Sequence, residues 1–188
     1  MSTETDLYSA LIKACIAQEP KAQRRLYDQF SGAMYQICLR YAKDSDEAQD
    51  IFQDAFVKVF GNLQKITNPH QLPGWIKRVF IHTAIDHLRV QARNQRNSSI
   101  DGAFHLEDPN VHILEELSKN EIMGLVQKLP PRARMVFNLY VMEGYPHQEI
   151  AQLMNITEGT SKSQLFEAKQ QLKRALLKQE QQYLRLIS

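Results

Sequence analysis

The chain has 188 residues, 43% of them hydrophobic and 23% charged, and a formal net charge of +2 at pH 7. This length suits one large domain or two small ones, and so small a net charge does not by itself indicate nucleic-acid binding. The sequence has no apolar run approaching the ~20 residues that span a bilayer, and no basic start followed by an apolar segment, so we expect a cytosolic protein.

Helical periodicity continues through most of the chain, and no polar–apolar alternation is long enough for a strand, so we predict an all-α protein. A first helix around residues 4–18 places four apolar residues on one side: Leu7, Ala10, Leu11 and Ala14. Pro20 fits the first turn of a second helix. The inward residues of that helix are Leu26, Phe30, Met34, Ile37 and Tyr41. Cys15 and Cys38 lie in these helices without a CxxC spacing, so neither a disulfide nor a metal site is expected.

Two further helices complete the first half. One begins near Ser45 or Asp46, a good capping position, and runs to Phe60. After a loop with two prolines, the other runs from residue 73 to about Arg93 and buries Ile76, Val79, Phe80, Ala84 and Leu88. Between about 94 and 115, Ser, Asn, Asp, Gly and Pro mix without a period. We therefore predict two small helical domains, residues 1–95 and 114–188, joined by a flexible linker over 96–113.

Negative charge is concentrated at the start of the third helix. Residues 44–54 contain five acids and no base, and Asp46, Asp50 and Asp54 follow one another at i, i+4 on one face. Like charges at this spacing destabilise an isolated helix by about 0.2–0.5 kcal/mol per pair. A solvated helix face would account for these acids, and so would a docking surface for a basic partner. Because no His or Cys accompanies the carboxylates, we do not expect a metal site there.

The balance reverses over residues 58–96, where seven Lys and Arg residues accompany a single acid. Trp75 stands at the start of the fourth helix. Near one outer face of that helix lie Arg78, His82, Arg89 and Arg93, with Lys77 beside them. A basic groove beside an aromatic side chain is the arrangement that binds phosphates and stacks unpaired bases. The alternative is that Trp75 is simply a core residue. His82 and His87 are five residues apart, which is not the spacing of a helical metal pair.

Residues 146–176 predict two amphipathic helices joined by a tight turn. Asn155 ends the first because Asn tolerates the left-handed conformation, and Thr157 is placed to cap the second. The second helix buries one side and shows polar and basic groups on the other, which describes a helix-turn-helix. The alternative is an ordinary helical hairpin. DNA binding is favoured because small residues stand where a recognition helix must approach DNA closely: Gly159, Thr160, Ser161 and Ser163.

The two halves of the chain resemble the two domains of a known family. Two stretches of the first half resemble the conserved core of bacterial RNA polymerase sigma factors. They are DEAQDIFQDAFVKVFGNL and, further along, LPGWIKRVFIHTAIDHLR. The second half resembles the DNA-binding C-terminal domain of the same sigma factors, over LPPRARMVFNLYVMEGYPHQEIAQLMNITEGTSKSQLFEAKQQLKRAL. With a sigma-2-like and a sigma-4-like domain only, the chain is similar to the small extracytoplasmic-function (ECF) group of the sigma-70 family.

The resemblance implies a role for each region. The acidic helix would dock on the beta-prime coiled coil of core RNA polymerase through Asp46, Glu47, Asp50, Gln53 and Asp54. The residues that would recognise and melt the downstream promoter element are Asn62, Trp75, Lys77, Arg78, His82 and Arg89. The residues that would read the upstream element in the major groove are Thr160, Lys162, Ser163, Gln164, Phe166, Glu167 and Lys169.

The helix-turn-helix departs from the family pattern at four positions. Ser161 stands where the family usually has Val, and Asn155 replaces the usual Gly in the turn. Gln164 and Glu167 occupy positions that are commonly Arg. The recognition helix is therefore less basic than usual, which bears on the promoter sequence that it would read.

The resemblance implies a dissociable initiation factor that binds core polymerase, brings it to specific promoters and assists melting. It would not be an enzyme and would need no cofactor, metal or small-molecule substrate. Its partners would be core RNA polymerase, through the beta-prime coiled coil and the beta flap, promoter DNA, and an anti-sigma factor, which is membrane-bound for many relatives. The alternatives are a stand-alone helix-turn-helix regulator, against which the first domain argues, and a hydrolase or transferase, for which no catalytic motif is found.

Overall fold

The computed structural model describes residues 4–95 and 119–187, and every regular element in this part of the chain is helical. The predicted all-α fold is therefore confirmed. The first half contains α1 (Glu4–Ile16), α2 (Pro20–Tyr41), α3 (Ser45–Asn62), two 3-10 turns (Leu63–Lys65 and Pro69–Gln71) and α4 (Leu72–Gln95). The second half contains α5 (Lys119–Gln127), α6 (Pro131–Phe137), a π-helical segment (Asn138–Met142), α7 (His147–Met154) and α8 (Glu158–Ile187).

Contacts divide the chain into two compact units, Met1–His87 and Leu88–Ser188, each of which buries its own apolar residues. The predicted linker, residues 96–113, lies outside the described residues, so the predicted domain boundaries stay a prediction. None of the helices in the described part of the chain is long and apolar enough to cross a membrane.

The core of the first unit forms along α2, where all five residues predicted to face inward are buried: Leu26, Phe30, Met34, Ile37 and Tyr41. Their spacing gives the helix one apolar stripe. Aromatic rings join α3 to α4. On α3, the ring centroids of Phe52 and Phe56 are 4.9 Å apart, and the Phe56 centroid lies 5.2 Å from that of Phe80 on α4. Both pairs have the edge-to-face geometry that aromatic rings prefer. Cys15 and Cys38 are buried in this unit as free thiols.

The predicted buried side of α1 is partly wrong. Leu7 is 49% exposed and Ala10 is exposed, whereas Leu11, Ile12 and Cys15 are buried. The helix packs against α2 and also against both 3-10 turns. Its buried side is therefore set by two surfaces, and periodicity within α1 does not show where the turns will lie.

The start of α3 is capped one residue before the predicted position. Asp44 is the N-cap, and its carboxylate accepts a hydrogen bond from the Glu47 backbone N–H at 2.9 Å. In return the Glu47 carboxylate accepts from the Lys43 N–H at 2.6 Å, which makes a close variant of a capping box. The helix begins at Ser45 as expected. The cap belongs to Asp44 because a residue just outside the helix, with extended backbone, can aim its side-chain oxygen at the first turn.

The second unit packs α5 and α6 against α8 around Val126, Leu129, Ala133 and Ala168. The helix-turn-helix forms as predicted. Asn155 takes the left-handed conformation at the end of α7, with φ 54° and ψ 51°. The Thr157 hydroxyl caps α8 by accepting from the Thr160 N–H at 3.0 Å. One backbone conformation and one side-chain cap therefore fix the turn that orients α8.

Candidate functional site

The acidic residues of α3 lie together on its outer side. Asp46, Asp50, Gln53 and Asp54 are exposed, and Glu47 is half-buried. At 3.6 residues per turn these five positions occupy about a third of the helix circumference. The Glu47 carboxylate is engaged at the helix start, so the open negative charge of this face comes mainly from the three aspartates.

A hydrogen bond and an ion pair join α3 to α4. Asp54 Oδ2 lies 2.8 Å from His87 Nε2, and Lys58 Nζ lies 3.1 Å from Asp86 Oδ2. The Asp54 side chain is 61% exposed, and pairs this exposed contribute only about 0.2–1 kcal/mol. Asp54 therefore contacts α4 as well as facing outward, which distinguishes it from Asp50. Within the described residues, no group of three or more His, Cys, Asp or Glu side chains is placed to hold a metal ion.

A cavity of about 330 Å³ opens between the end of α3 and the first half of α4. It brings together four of the six residues predicted to bind the downstream element: Asn62, Trp75, Arg78 and His82. The rest of its lining is Lys58, Lys65, Val79, Thr83 and Asp86. We call this space the α3–α4 cavity. An aromatic ring and several basic side chains around one space can stack a nucleobase and hold the backbone phosphates beside it.

The remaining residues predicted for the downstream element lie elsewhere. Lys77 and Arg89 are half-buried on α4 and do not line the α3–α4 cavity. Trp75 is half-buried, so its ring packs on protein atoms and still presents surface to the cavity. Lys58 and Lys65 were missed as site residues, although the basic balance of residues 58–96 could have pointed to them.

The residues predicted to read the upstream element occupy the first turns of α8. Lys162 and Glu167 are exposed, and the other five are half-buried: Thr160, Ser163, Gln164, Phe166 and Lys169. The Lys162 amine lies 3.8 Å from the Glu158 carboxylate. Glu167 accepts hydrogen bonds from the side-chain amides of Gln164 at 3.4 Å and Gln171 at 3.1 Å. The Glu167 carboxylate is therefore held along the helix by two glutamines.

Lys169 differs from the other predicted reading residues because it borders an apolar cavity of about 280 Å³ on the second unit. The lining comes from α5, α6, the π-helical segment and α8, and includes Met123, Phe137, Val141 and Met142. The aliphatic stem of a lysine covers apolar surface while its amine stays in water. Lys169 can therefore line this cavity and still carry its charge at the surface.

Sequence reasoning missed a polar contact between the two helices of the helix-turn-helix. His147 Nδ1, at the start of α7, lies 2.9 Å from the hydroxyl oxygen of the fully buried Ser161. The imidazole also stacks on Tyr140, with ring centroids 4.5 Å apart and an interplanar angle of 20°. Burial lowers the pKa of His147, and the charge of Lys162 lowers it further, whereas Glu158 acts in the opposite direction. No periodicity or motif signals a pair fourteen residues apart.

Protein-family comparison matches both halves of the chain. The family model described as Sigma-70 region 2 covers residues 26–94, and the one described as Sigma-70, region 4 covers residues 119–172. Together they span more than half of the chain. The first match contains the acidic face and the α3–α4 cavity, and the second contains the helix-turn-helix; α1 precedes the first match.

Curated relatives and a solved structure agree with these matches. The RNA polymerase sigma-H factor of Pseudomonas aeruginosa is 28% identical over 151 residues, which cover 74% of this chain and 78% of that protein. The ECF RNA polymerase sigma-E factor of Escherichia coli K12 is 25% identical over 163 residues, covering 81% and 85%. The sigma factor RpoE of Bartonella quintana, solved in complex with the anti-sigma factor NepR, supports the fold with 20% identity, a TM-score of 0.50 and coverage of 82% of this chain and 96% of that one. The chain therefore belongs to the ECF group of the sigma-70 family, whose members are RNA polymerase sigma factors that confer promoter-specific initiation and are not enzymes.

Proposed function

We propose that this sigma factor uses three separate surfaces during initiation. The outer face of α3 docks on core RNA polymerase, the α3–α4 cavity holds an unpaired base of the downstream element, and the first turns of α8 read the upstream element. The observation that carries this proposal is the α3–α4 cavity, where an aromatic ring, an amide and several basic side chains meet. This combination suits single-stranded DNA, which a stand-alone duplex-binding regulator has no need to hold.

The outer face of α3 suits a basic partner such as the beta-prime coiled coil. Asp46 and Asp50 are exposed, and residues 44–54 contain no base that would neutralise them. Val57, one turn beyond Gln53, is 72% exposed, so a partner that covers this face also removes apolar surface from water. Charge complementarity mainly sets specificity and association rate. We therefore infer that the aspartates select the partner and that Val57 adds to the affinity.

In the α3–α4 cavity, Trp75 would stack on an unpaired base while Lys65 and Arg78 hold the adjoining phosphates. A stacked base contributes about 1–3 kcal/mol. Because a base within the duplex is not available for this stacking, the contact favours the open complex over the closed one. Asn62 and His82 supply hydrogen-bonding groups beside the same space.

The first turns of α8 would enter the major groove, since the N-terminal residues of a recognition helix contact the base edges. Lys162 is exposed and can approach a phosphate, and the small side chain of Ser163 permits close approach of the helix. The Glu167 carboxylate can accept a hydrogen bond from a cytosine amino group. Because the same carboxylate repels phosphates, it would favour one base while lowering affinity for every sequence.

The apolar cavity of the second unit is our candidate surface for the beta flap of the polymerase. Its lining is mostly apolar, and Val141 and Met142 at its edge are exposed. Exposed apolar surface of this kind is typical of protein interaction sites. An anti-sigma factor, the class of protein bound to the Bartonella quintana RpoE, would compete for the polymerase-binding surfaces. The proposed place of action is the cytoplasm, where core RNA polymerase works.

Transcription of a promoter library by bacterial core RNA polymerase, with and without this protein, tests the proposed function. We expect the added protein to select promoters that core polymerase alone does not use, and we expect the two to co-purify. A protein that bound duplex DNA tightly but failed to bind core polymerase at micromolar concentration would instead be a stand-alone regulator.

A further inference from the structure

The contact between His147 and Ser161 acts on the part of α8 that carries the reading residues. Ser161 is 0% exposed, and its hydroxyl oxygen lies 2.9 Å from His147 Nδ1. It stands between Thr160 and Lys162, two residues proposed to face DNA. The bond therefore joins α7 to the first turn of α8, which is the part of a recognition helix that enters the major groove.

The imidazole is also held by a third element. Tyr140 stacks on it with ring centroids 4.5 Å apart. Tyr140 belongs to the π-helical segment Asn138–Met142, and π-helical turns occur frequently at functional sites. The backbone N–H of Tyr145 donates to the Leu139 carbonyl at 2.9 Å and fixes the chain beyond this segment. One ring therefore connects the π-helical segment, α7 and α8.

A hydrogen bond orients α8 in a way that an apolar contact would not. Apolar side chains pack by shape and tolerate small rotations. A hydroxyl that bonds to a ring nitrogen needs a separation of about 3 Å and suitable alignment, so rotation or withdrawal of α8 breaks the bond. Because Ser161 is fully buried, water would not replace the lost partner. The packing of α7 on α8 is therefore confined to the orientation in which the bond forms.

The groups around the imidazole favour its neutral form. Burial disfavours a charge on the ring, and so do Lys162 and Lys169 of α8, whereas Glu158 favours one. The Tyr140 ring covers one side. His147 is the first residue of α7, where the helix dipole disfavours a positive charge. A neutral imidazole has one donor and one acceptor nitrogen. Either His147 or Ser161 can then supply the shared proton, and the bond forms without a net charge between the helices.

We propose that His147 and Ser161 are positioning residues for promoter reading, and that their hydrogen bond sets the orientation in which α8 enters the major groove. The inference rests on the proposed reading of the upstream element by α8. Ser161 is fully buried and acts without touching DNA. Loss of the bond should therefore change the discrimination between sequences more than it changes binding to DNA in general.

The test uses the holoenzyme formed from core RNA polymerase and the full chain. A promoter that the wild type selects from a library with a randomised upstream element is the probe, and the same promoter with that element scrambled is the reference. Selectivity is the ratio of the two affinities. Ser161→Ala removes the hydroxyl, His147→Phe keeps a ring but removes Nδ1, and His147→Asn keeps a hydrogen-bonding atom close to the Nδ1 position.

We expect Ser161→Ala and His147→Phe each to lower selectivity by about three- to tenfold, the factor that one hydrogen bond of ordinary net strength represents. The double variant should lose no more than either single variant, because both changes remove the same bond. His147→Asn should recover part of the selectivity. Gln148→Ala, at an exposed neighbouring position on α7, is the matched control and should leave selectivity unchanged.

Three outcomes would overturn the inference: unchanged selectivity in the single variants, losses that multiply in the double variant, or equal losses on the two promoters. Equal losses indicate a merely structural role. Circular dichroism checks folding, and Ser161→Cys, which leaves no empty space but bonds weakly, replaces Ser161→Ala if that variant unfolds. A wild-type holoenzyme indifferent to the scrambled element would reject the proposed reading by α8 and this inference with it. A selective wild type with equally selective variants would reject the inference alone.

Discussion

The contribution of Trp75 to the folded protein can be separated from the role proposed for it in the open promoter. Trp75→Ala should slow open-complex formation more than it weakens initial promoter binding, because stacking on a base, worth about 1–3 kcal/mol, begins only after the strands part. Kinetics on duplex promoters and on templates with a pre-melted bubble measure the two steps. The bubble should rescue the variant. Equal defects on both templates, or only a lower melting temperature, would show that Trp75 is a core residue.

The lowered pKa of His147 predicts that the second unit loses stability in acid. Burial, with Lys162 nearby, puts the pKa of His147 in the folded chain below its ordinary value, which is about 6.5. As the pH falls below about 6.5, the unfolded chain therefore binds this proton first, and the free energy of unfolding decreases until the pH passes the lower folded pKa. Hydrogen exchange of α7 and α8 amides in the full chain should show this decline. In His147→Phe the part due to this group should vanish, so an unchanged pH profile would contradict the prediction.

At the scale of the elements, α1 provides a matched pair of leucines. Leu11 is buried and Leu7 is 49% exposed on the same helix. Leu11→Ala should lower the free energy of unfolding of the first unit by about 2–5 kcal/mol, because it leaves a cavity. Leu7→Ala should change it by less than about 0.5 kcal/mol, as is usual for surface positions. Denaturant unfolding followed by the fluorescence of Trp75 measures both, and similar losses in the two variants would place α1 differently from the structure.

The elements show which parts of the fold a sequence can predict. Local chemistry determined the turn of the helix-turn-helix, so Asn155 and Thr157 were predicted in the roles they have. The apolar stripe along α2 was predictable because a single face of this helix packs against the core of the first unit. The cap at Asp44 was missed by one residue, since neighbouring positions offered equally good oxygens. The buried side of α1 was missed in part because it packs on turns whose position depends on tertiary structure.

The candidate site was predictable by residue type and less so by arrangement. Four of the predicted downstream-element residues line the α3–α4 cavity. They lie at the end of α3 or in the first turns of α4, two places that are close in the sequence. Arg89 was grouped with them because it lies near the same outer face of α4, but it stands seven residues beyond His82 along the helix. Lys77 was included for its charge, and charge does not specify a helix face. The pairing of Asp54 with His87 joins residues 33 positions apart. Such contacts arise from how helices pack, and no pattern within a single helix reports them.

At the scale of the whole molecule, the acidic face of α3 proposed for docking and the first turns of α8 proposed for reading belong to different units, so variants of the two surfaces should fail separately. Asp50→Lys should reduce core-polymerase binding and transcription from every promoter, with little change in stability because Asp50 is exposed. Asp28→Lys, at an exposed position on α2, is the control and should leave core binding intact. A pull-down and circular dichroism on the same sample measure both. Loss of folding in Asp50→Lys would contradict the docking role.

The complementary variant is Lys162→Ala in the second unit. It should leave core binding unchanged, weaken promoter binding on all upstream sequences alike, and reduce the salt slope by about one unit. Promoter affinity at several salt concentrations measures this. A change in sequence preference without a change in salt slope would assign Lys162 to base reading instead of phosphate contact.

The buried thiols of the first unit have a further consequence. Both cysteines of the chain, Cys15 and Cys38, belong to this unit. Burial raises the pKa of Cys38 to about 12, and burial together with Glu19 raises that of Cys15. The thiolate is the form that reacts, and a raised pKa makes it scarce. Because both thiols are also buried, alkylating reagents modify them only when the unit opens. An alkylation time course on the native protein would therefore follow transient opening of the first unit, in the free chain and in the holoenzyme, without an introduced label.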